Sequence, residues 1–140
     1  MTGGDIYDQI EKVMPKSQYH WSLCPGHLTA DEEWLASPIY SGSKEQLTSG
    51  MLFQIDMIPS VEGYGATNAE STIALADENL RKQIQTEAPE LWKRISSRIA
   101  YIKNELGINL SPDVLPLTST VAYLRPLLLN KEKAMHIKKQ

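Results

Sequence analysis

Two stretches of sequence decide the fold: MLFQIDMIP at residues 51–59 and TNAESTIAL at residues 67–75, joined by a glycine-bearing link. Apolar and polar residues alternate in both, which predicts two β-strands with one apolar and one polar face. The link predicts an antiparallel hairpin centred on Gly63. In that register Asp56 lies directly opposite Glu70.

The predicted hairpin therefore brings two acidic side chains together on its polar face. Gln54 shares this face with Asp56 on the first strand, and Thr72 shares it with Glu70 on the second. Directly opposed side chains lie about 5 Å apart, where two carboxylates repel by about 3 kcal/mol at an effective dielectric constant of about 20. Three explanations are open: one acid is protonated, a cation is shared, or the register is shifted and the pair does not form.

The composition describes an ordinary globular protein of one domain or part of one. The chain has 140 residues, of which 41% are hydrophobic and 22% charged. Its net charge of −3 gives no general attraction to nucleic acid or to an anionic membrane, so neither is an expected partner. A single cysteine, Cys24, and the absence of a signal peptide or long apolar run predict a cytoplasmic protein.

Three helices are predicted from their start and stop signals. Thr2 heads a capping-box-like sequence, and the helix that follows ends at Pro15. Asp77 is the expected N-cap of a short helix. Pro89 opens a longer helix with apolar residues at helical spacing, and Gly107 ends it.

The remaining segments have no regular pattern. Residues 17–50 are predicted to be loops and short extended pieces, residues 110–130 an apolar tail punctuated by prolines, and residues 131–140 a mobile basic tail. The expected fold class is therefore α+β, an antiparallel sheet with helices on one face.

A histidine adds a third candidate ligand to the two acids. His27 follows Pro25-Gly26, a tight bend that can expose its imidazole. One histidine with an aspartate and a glutamate suits Mn, Fe, Co or Zn, although three such residues can be chosen in almost any chain. The alternative of a thiol nucleophile, Cys24 with His20, has no orienting third group, and a buried cysteine is the simpler interpretation.

Three segments resemble the creatinase/aminopeptidase P/prolidase family of pita-bread metallopeptidases. These are PGH at residues 25–27, GMLFQID at residues 50–56 and AESTIA at residues 69–74. The family carries a glycine-histidine segment with a metal-binding histidine, a G-M-x-F-x-x-E-P strand with a metal-binding glutamate, and an E-D-T-V/I strand with a bridging glutamate. The resemblance covers about residues 2–80 and implies the C-terminal half of a pita-bread fold.

By that resemblance, His27, Asp56 and Glu70 would be three of the family's five ligands for divalent metal. Glu70 would bridge two metal ions, and Asp56 would stand where the family has glutamate. A shared dication would turn the repulsion between the two acids into a binding site. The family uses its metal pair to activate water against a peptide or related C–N bond, often beside proline, which implies a peptide or Xaa-Pro substrate.

The chain departs from the family pattern at several positions. The other two family ligands are aspartates on an earlier hairpin, and Asp5 and Asp8 on the first predicted helix do not replace them. Four supporting positions also carry other residues than the family usually has: Leu23, Trp34, Asn68 and Ser71. Such changes remove support that normally contributes 10- to 100-fold in metal affinity or activity.

Two function hypotheses follow from the resemblance. The first is a metallopeptidase-like hydrolase fragment, inactive as this chain alone and completed by a missing N-terminal half. The second is a non-catalytic pita-bread-like protein-interaction module, which needs no metal. Because a half-domain leaves strand edges and apolar surface open, a second copy of the chain is an alternative partner.

Overall fold

The structure, a computed structural model, describes residues 1–22, 25–29, 36–64 and 69–118. Its helices are Gly3–Val13 (α1), Lys16–Tyr19 (α2), Glu78–Glu87 (α3) and Pro89–Asn104 (α4), and its strands are His27–Leu28 (β1), Leu52–Met57 (β2), Ala69–Leu75 (β3) and Val114–Pro116 (β4). The strands form one antiparallel sheet in the order β1-β2-β3-β4, with helices packed against it. The predicted α+β class is confirmed.

The predicted hairpin register is confirmed as well. Opposed pairs in β2 and β3 include Phe53 with Ile73, Gln54 with Thr72, and Asp56 with Glu70. Gly63 lies in the connecting turn with a φ of +85°, a left-handed conformation that glycine adopts without steric cost. The alternative of a shifted register is therefore wrong, and the two acids are direct neighbours.

The predicted helix starts are found where the sequence signals lie. The N–H of Asp5 donates to the Oγ1 of Thr2 at 3.2 Å, and the N–H of Thr2 donates to the Oδ2 of Asp5 at 2.7 Å, which completes the capping box of α1. The Oδ1 of Asp77 accepts from the N–H of Leu80 at 2.8 Å at the start of α3. Pro89 is the first residue of α4.

Two elements differ from the sequence prediction. Residues 17–19, expected to be loop, belong to the single turn Lys16–Tyr19 (α2), which ends at His20 in a left-handed conformation. Residues 114–116, expected to belong to an apolar tail, form β4 at the edge of the sheet, where a proline such as Pro116 is tolerated. The predicted tail beyond residue 118, the predicted basic tail at residues 131–140 and Cys24 lie outside the described residues.

Helices α3 and α4 cover part of one sheet face. Their apolar residues pack with Ala74 of β3 and Leu115 of β4, which are opposed across the two strands. The cluster consists of Ala76, Ile95 and Leu115, surrounded by Ala74, Leu80, Ile84, Leu91, Trp92, Ile99 and Leu117. By alternation, Thr72 and Glu70 continue this same face beyond the helices.

The opposite sheet face carries the buried Phe53 and is covered by a different segment. Ile55 lies two residues after Phe53 and therefore on the same face. The Cδ1 atoms of Ile39 and Ile55 both approach Gly26, so Ile39 lies over this face. The segment that contains Ile39 also supports α1. The backbone of Gly3 passes so close to Pro38 that a Cβ on Gly3 would lie 1.8 Å from the carbonyl oxygen of Pro38.

None of the helices in the described ranges has the length and apolar content that crossing a membrane requires.

Candidate metal centre

Five polar side chains form one patch, which we call the polar face, on the same sheet face that α3 and α4 pack against. The polar face consists of His27 from β1, Gln54 and Asp56 from β2, and Glu70 and Thr72 from β3. One row runs across all three strands, with His27 opposite Gln54 and Gln54 opposite Thr72. The next row contains Asp56 opposite Glu70. The pleat of the strands therefore brings the three predicted ligands to one surface.

Asp56 is the most unusual residue of the polar face. Only 8% of it is exposed, and its Oδ1 is buried without a hydrogen-bond partner among the described residues. Burial, and then the negative charge of Glu70, raise the pKa of the Asp56 carboxyl, while His27 lowers it. A buried carboxylate oxygen that lacks a donor is unfavourable unless a proton or a cation satisfies it.

Glu70 is exposed, but its carboxylate is held in place from the neighbouring strand. The Nε2 of Gln54 donates to its Oε2 at 3.0 Å. Gln54 lies diagonally across the strand pair from Glu70, a separation that long side chains can bridge. The two acids thus have different surroundings, one buried and the other at the surface with an amide donor.

The expectation that the Pro25-Gly26 bend exposes the imidazole of His27 is wrong, because His27 is 5% exposed. Its backbone neighbour determines which ring nitrogen carries the proton. Its Nδ1 lies 3.1 Å from the carbonyl oxygen of Leu28. Because a carbonyl oxygen only accepts, this hydrogen bond requires the proton on Nδ1. In the neutral imidazole the lone pair is then on Nε2, the nitrogen through which a backbone-anchored histidine binds metal.

The three predicted ligands share a face but do not close into a complete site. Asp56 and Glu70 are adjacent, whereas His27 lies in the neighbouring row. Within the part of the chain that the structure describes, no three His, Cys, Asp or Glu side chains are close enough to hold a metal ion. The donor atoms of His27, Asp56 and Glu70, and the unsatisfied oxygen of Asp56, nevertheless suit a divalent cation. These three residues therefore fit part of a metal centre.

Asp5 has another role, which agrees with its exclusion as a ligand. Its carboxylate caps α1, and the hydrogen bonds that it makes with Thr2 lower its pKa. Ser71, where the family has aspartate, lies opposite Ile55 and so on the other face of the sheet from Glu70. The remaining family positions, Leu23, Trp34 and Asn68, lie outside the described residues.

The sequence does not mark two polar residues of this region. Alternation places Gln54 on the polar face, but nothing in the sequence indicates its hydrogen bond to Glu70. Thr29, two residues after His27, has a buried Oγ1 without a hydrogen-bond partner among the described residues. It lies outside the segments that suggested the site, and no sequence signal marks it.

Comparison with protein-family models, with curated proteins and with solved structures finds no match to this chain.

Proposed function

We propose that this chain is the metal-binding, C-terminal part of a divergent hydrolase of the pita-bread metallopeptidase type. The observation that carries the proposal is the pairing of Asp56 with Glu70, in which the buried Oδ1 of Asp56 has no donor among the described residues. A divalent cation between the two acids explains why a fold keeps them together. The likeness of the sheet to the C-terminal half of a pita-bread fold, with helices on one face, is part of the same proposal.

In this proposal each residue of the polar face has a distinct task. His27 supplies a neutral nitrogen through Nε2, Asp56 supplies a buried carboxylate oxygen, and Glu70 supplies the carboxylate that bridges two ions. The ion would be Mn, Co, Fe or Zn, and a bound pair of such ions supplies a Lewis acid and an activated water for attack on a peptide or amide C–N bond. The substrate class is a peptide, with Xaa-Pro as the first to test.

A partner is required, because three side chains are too few for two metal ions. The partner would be an N-terminal half that contributes two aspartates, or a second copy of the chain. We propose a cytoplasmic protein that binds neither nucleic acid nor membrane.

The first experiment is a titration of the chain with Mn²⁺ and Zn²⁺ by calorimetry, supported by elemental analysis. Asp56→Ala and Glu70→Ala are compared with wild type, and Asp8→Ala on α1 serves as a matched control. We expect binding by wild type and the control, and loss of binding in both site variants. Equal binding by all four proteins, or by none, would contradict the proposed site.

The second experiment tests catalysis. The chain is mixed with a half-domain that carries the family's two aspartates, and hydrolysis of Xaa-Pro dipeptides is measured with added Mn²⁺. Turnover that requires both halves and Asp56 supports the hydrolase. If the complemented protein binds metal but turns over no peptide or amide substrate, the enzyme interpretation is wrong.

The alternative is a non-catalytic protein-interaction module of the same fold. It is favoured by Leu23, Asn68 and Ser71, where the chain lacks the histidine, arginine and aspartate that the family usually has. The two proposals differ in their response to chelation. Partner binding that is unchanged by EDTA and by Asp56→Ala supports the module, whereas light scattering that shows a monomer at high concentration argues against self-association in either case.

A further inference from the structure

We propose that Gln54 is a positioning residue of the metal centre, whose side-chain amide keeps the Glu70 carboxylate beside Asp56. The inference rests on the proposed function and assigns a role to a residue outside the predicted ligand set. It is carried by the hydrogen bond from Nε2 of Gln54 to Oε2 of Glu70, 3.0 Å long.

The position of Gln54 in the sheet gives this hydrogen bond its significance. Gln54 precedes Asp56 by two residues on β2, so both side chains leave the strand on the same face. It lies opposite His27 on one side and Thr72 on the other. The amide is therefore central in the polar face, with all three predicted ligands around it.

Glu70 needs such a constraint, because the charge of Asp56 repels it and water is available on its outer side. Glu70 is exposed whereas Asp56 is buried, so rotation of the Glu70 side chain towards solvent is the simplest way to separate the two charges. A donor on the neighbouring strand opposes that rotation, since charge-assisted hydrogen bonds are among the strong ones. The carboxylates of Asp56 and Glu70 then remain side by side, where they can share a cation.

The chemistry of an amide suits this role better than the alternatives do. A lysine or arginine at position 54 would neutralise Glu70 and compete with a metal ion for its charge. A serine or threonine hydroxyl is too short to reach diagonally across the strand pair. Glutamine donates one hydrogen bond and leaves the negative charge of the site unchanged.

The test compares Gln54→Met, which keeps the side-chain length but removes the donor, with Gln83→Met as the matched control. Gln83 on α3 also donates to a carboxylate, that of Glu87, at 3.2 Å, but it lies away from the polar face. The probes are Mn²⁺ affinity by calorimetry and the visible absorption spectrum of bound Co²⁺, which reports the ligand geometry. Gln54→Ala repeats the test without the apolar side chain of methionine.

We expect Gln54→Met and Gln54→Ala to weaken Mn²⁺ binding by about 10- to 100-fold and to change the Co²⁺ spectrum. Gln83→Met should match wild type in both. The melting temperature of the metal-free Gln54 variants should stay close to that of wild type, because the hydrogen bond acts between two side chains at the surface of the hairpin.

Two results would overturn the role of Gln54 and leave the proposed function unaffected. One is wild-type affinity and an unchanged Co²⁺ spectrum in both Gln54 variants. The other is a loss of affinity that accompanies a matching loss of metal-free stability, since Gln54 would then only support the hairpin. If wild type itself binds no metal, the proposed function fails, and the role of Gln54 fails with it.

Discussion

Replacement of Asp56 by asparagine should make the metal-free protein more stable near neutral pH. The carboxyl is buried, it lies opposite Glu70, and its Oδ1 has no hydrogen-bond partner among the described residues. Two charges about 5 Å apart repel by about 3 kcal/mol at an effective dielectric constant of about 20. Because Glu70 is exposed and partly screened by water, we expect the free energy of unfolding to rise by about 1–2 kcal/mol.

The gain should depend on pH in a defined direction. Burial and the charge of Glu70 raise the pKa of Asp56 above its ordinary value of 3.8. A carboxyl with a raised pKa binds its proton more tightly in the folded protein, so its cost to stability is fully present above that raised pKa. The advantage of asparagine should therefore shrink as the pH falls through the pKa of folded Asp56, and it should vanish below 3.8.

The measurement is urea unfolding of wild type, Asp56→Asn and the control Asp8→Asn, with EDTA, near neutral pH and again below pH 3.8. With Mn²⁺ in place of EDTA the order should reverse, because a ligand that binds only the folded state stabilises wild type and not the variant. If Asp56→Asn in EDTA is no more stable than wild type near neutral pH, the two carboxylates do not oppose each other as described.

Three further predictions concern the fold. Gly3→Ala should destabilise the protein strongly, because its Cβ would lie 1.8 Å from a backbone oxygen. Gly42→Ala has open space around its Cβ but a φ of +73°, and should lower the free energy of unfolding by only about 1–2 kcal/mol. Similar losses in both variants would contradict the close packing of α1. Phe53→Ala, at 2% exposure, should cost about 3–5 kcal/mol in urea unfolding, and a loss below about 1 kcal/mol would show that it is not in the core. Arg81→Met removes hydrogen bonds to Asp113 and to a backbone carbonyl and should cost about 1–3 kcal/mol; a double-mutant cycle with Asp113→Asn measures the share of the ion pair, and zero coupling would exclude it.

The hairpin was predictable because its determinants are local. Alternation assigns each residue to a face, and a turn centred on Gly63 fixes which residues are opposed. Together these two facts predicted the pairing of Asp56 with Glu70 before any tertiary information, and the structure confirms it. The caps Thr2 and Asp77 were predictable for the same reason, since a helix start is specified within four residues.

The pairing of β1 and of β4 was not predictable in the same way. β4 has three residues and β1 has two, which is too short for a period to appear in the sequence. Their register depends on contacts with strands far away in the chain. The position of His27 in the row of Gln54 and not in that of Asp56 is a consequence of this non-local pairing, and alternation within β2 and β3 contains no information about it.

The separation of polar and apolar side chains onto opposite faces of β2 and β3 also limits which mutations the hairpin tolerates. Even-numbered positions such as 54, 56, 70 and 72 supply the polar face, while odd-numbered positions such as 53 and 73 face the other way. Substitutions at even positions can therefore accumulate with little effect on the packing around Phe53. A single-codon insertion or deletion inside either strand has the opposite outcome, because it exchanges the two faces beyond that point and moves polar side chains into the packing around Phe53. Sequence divergence in this hairpin is thus expected to proceed by substitution, with length changes confined to the turn.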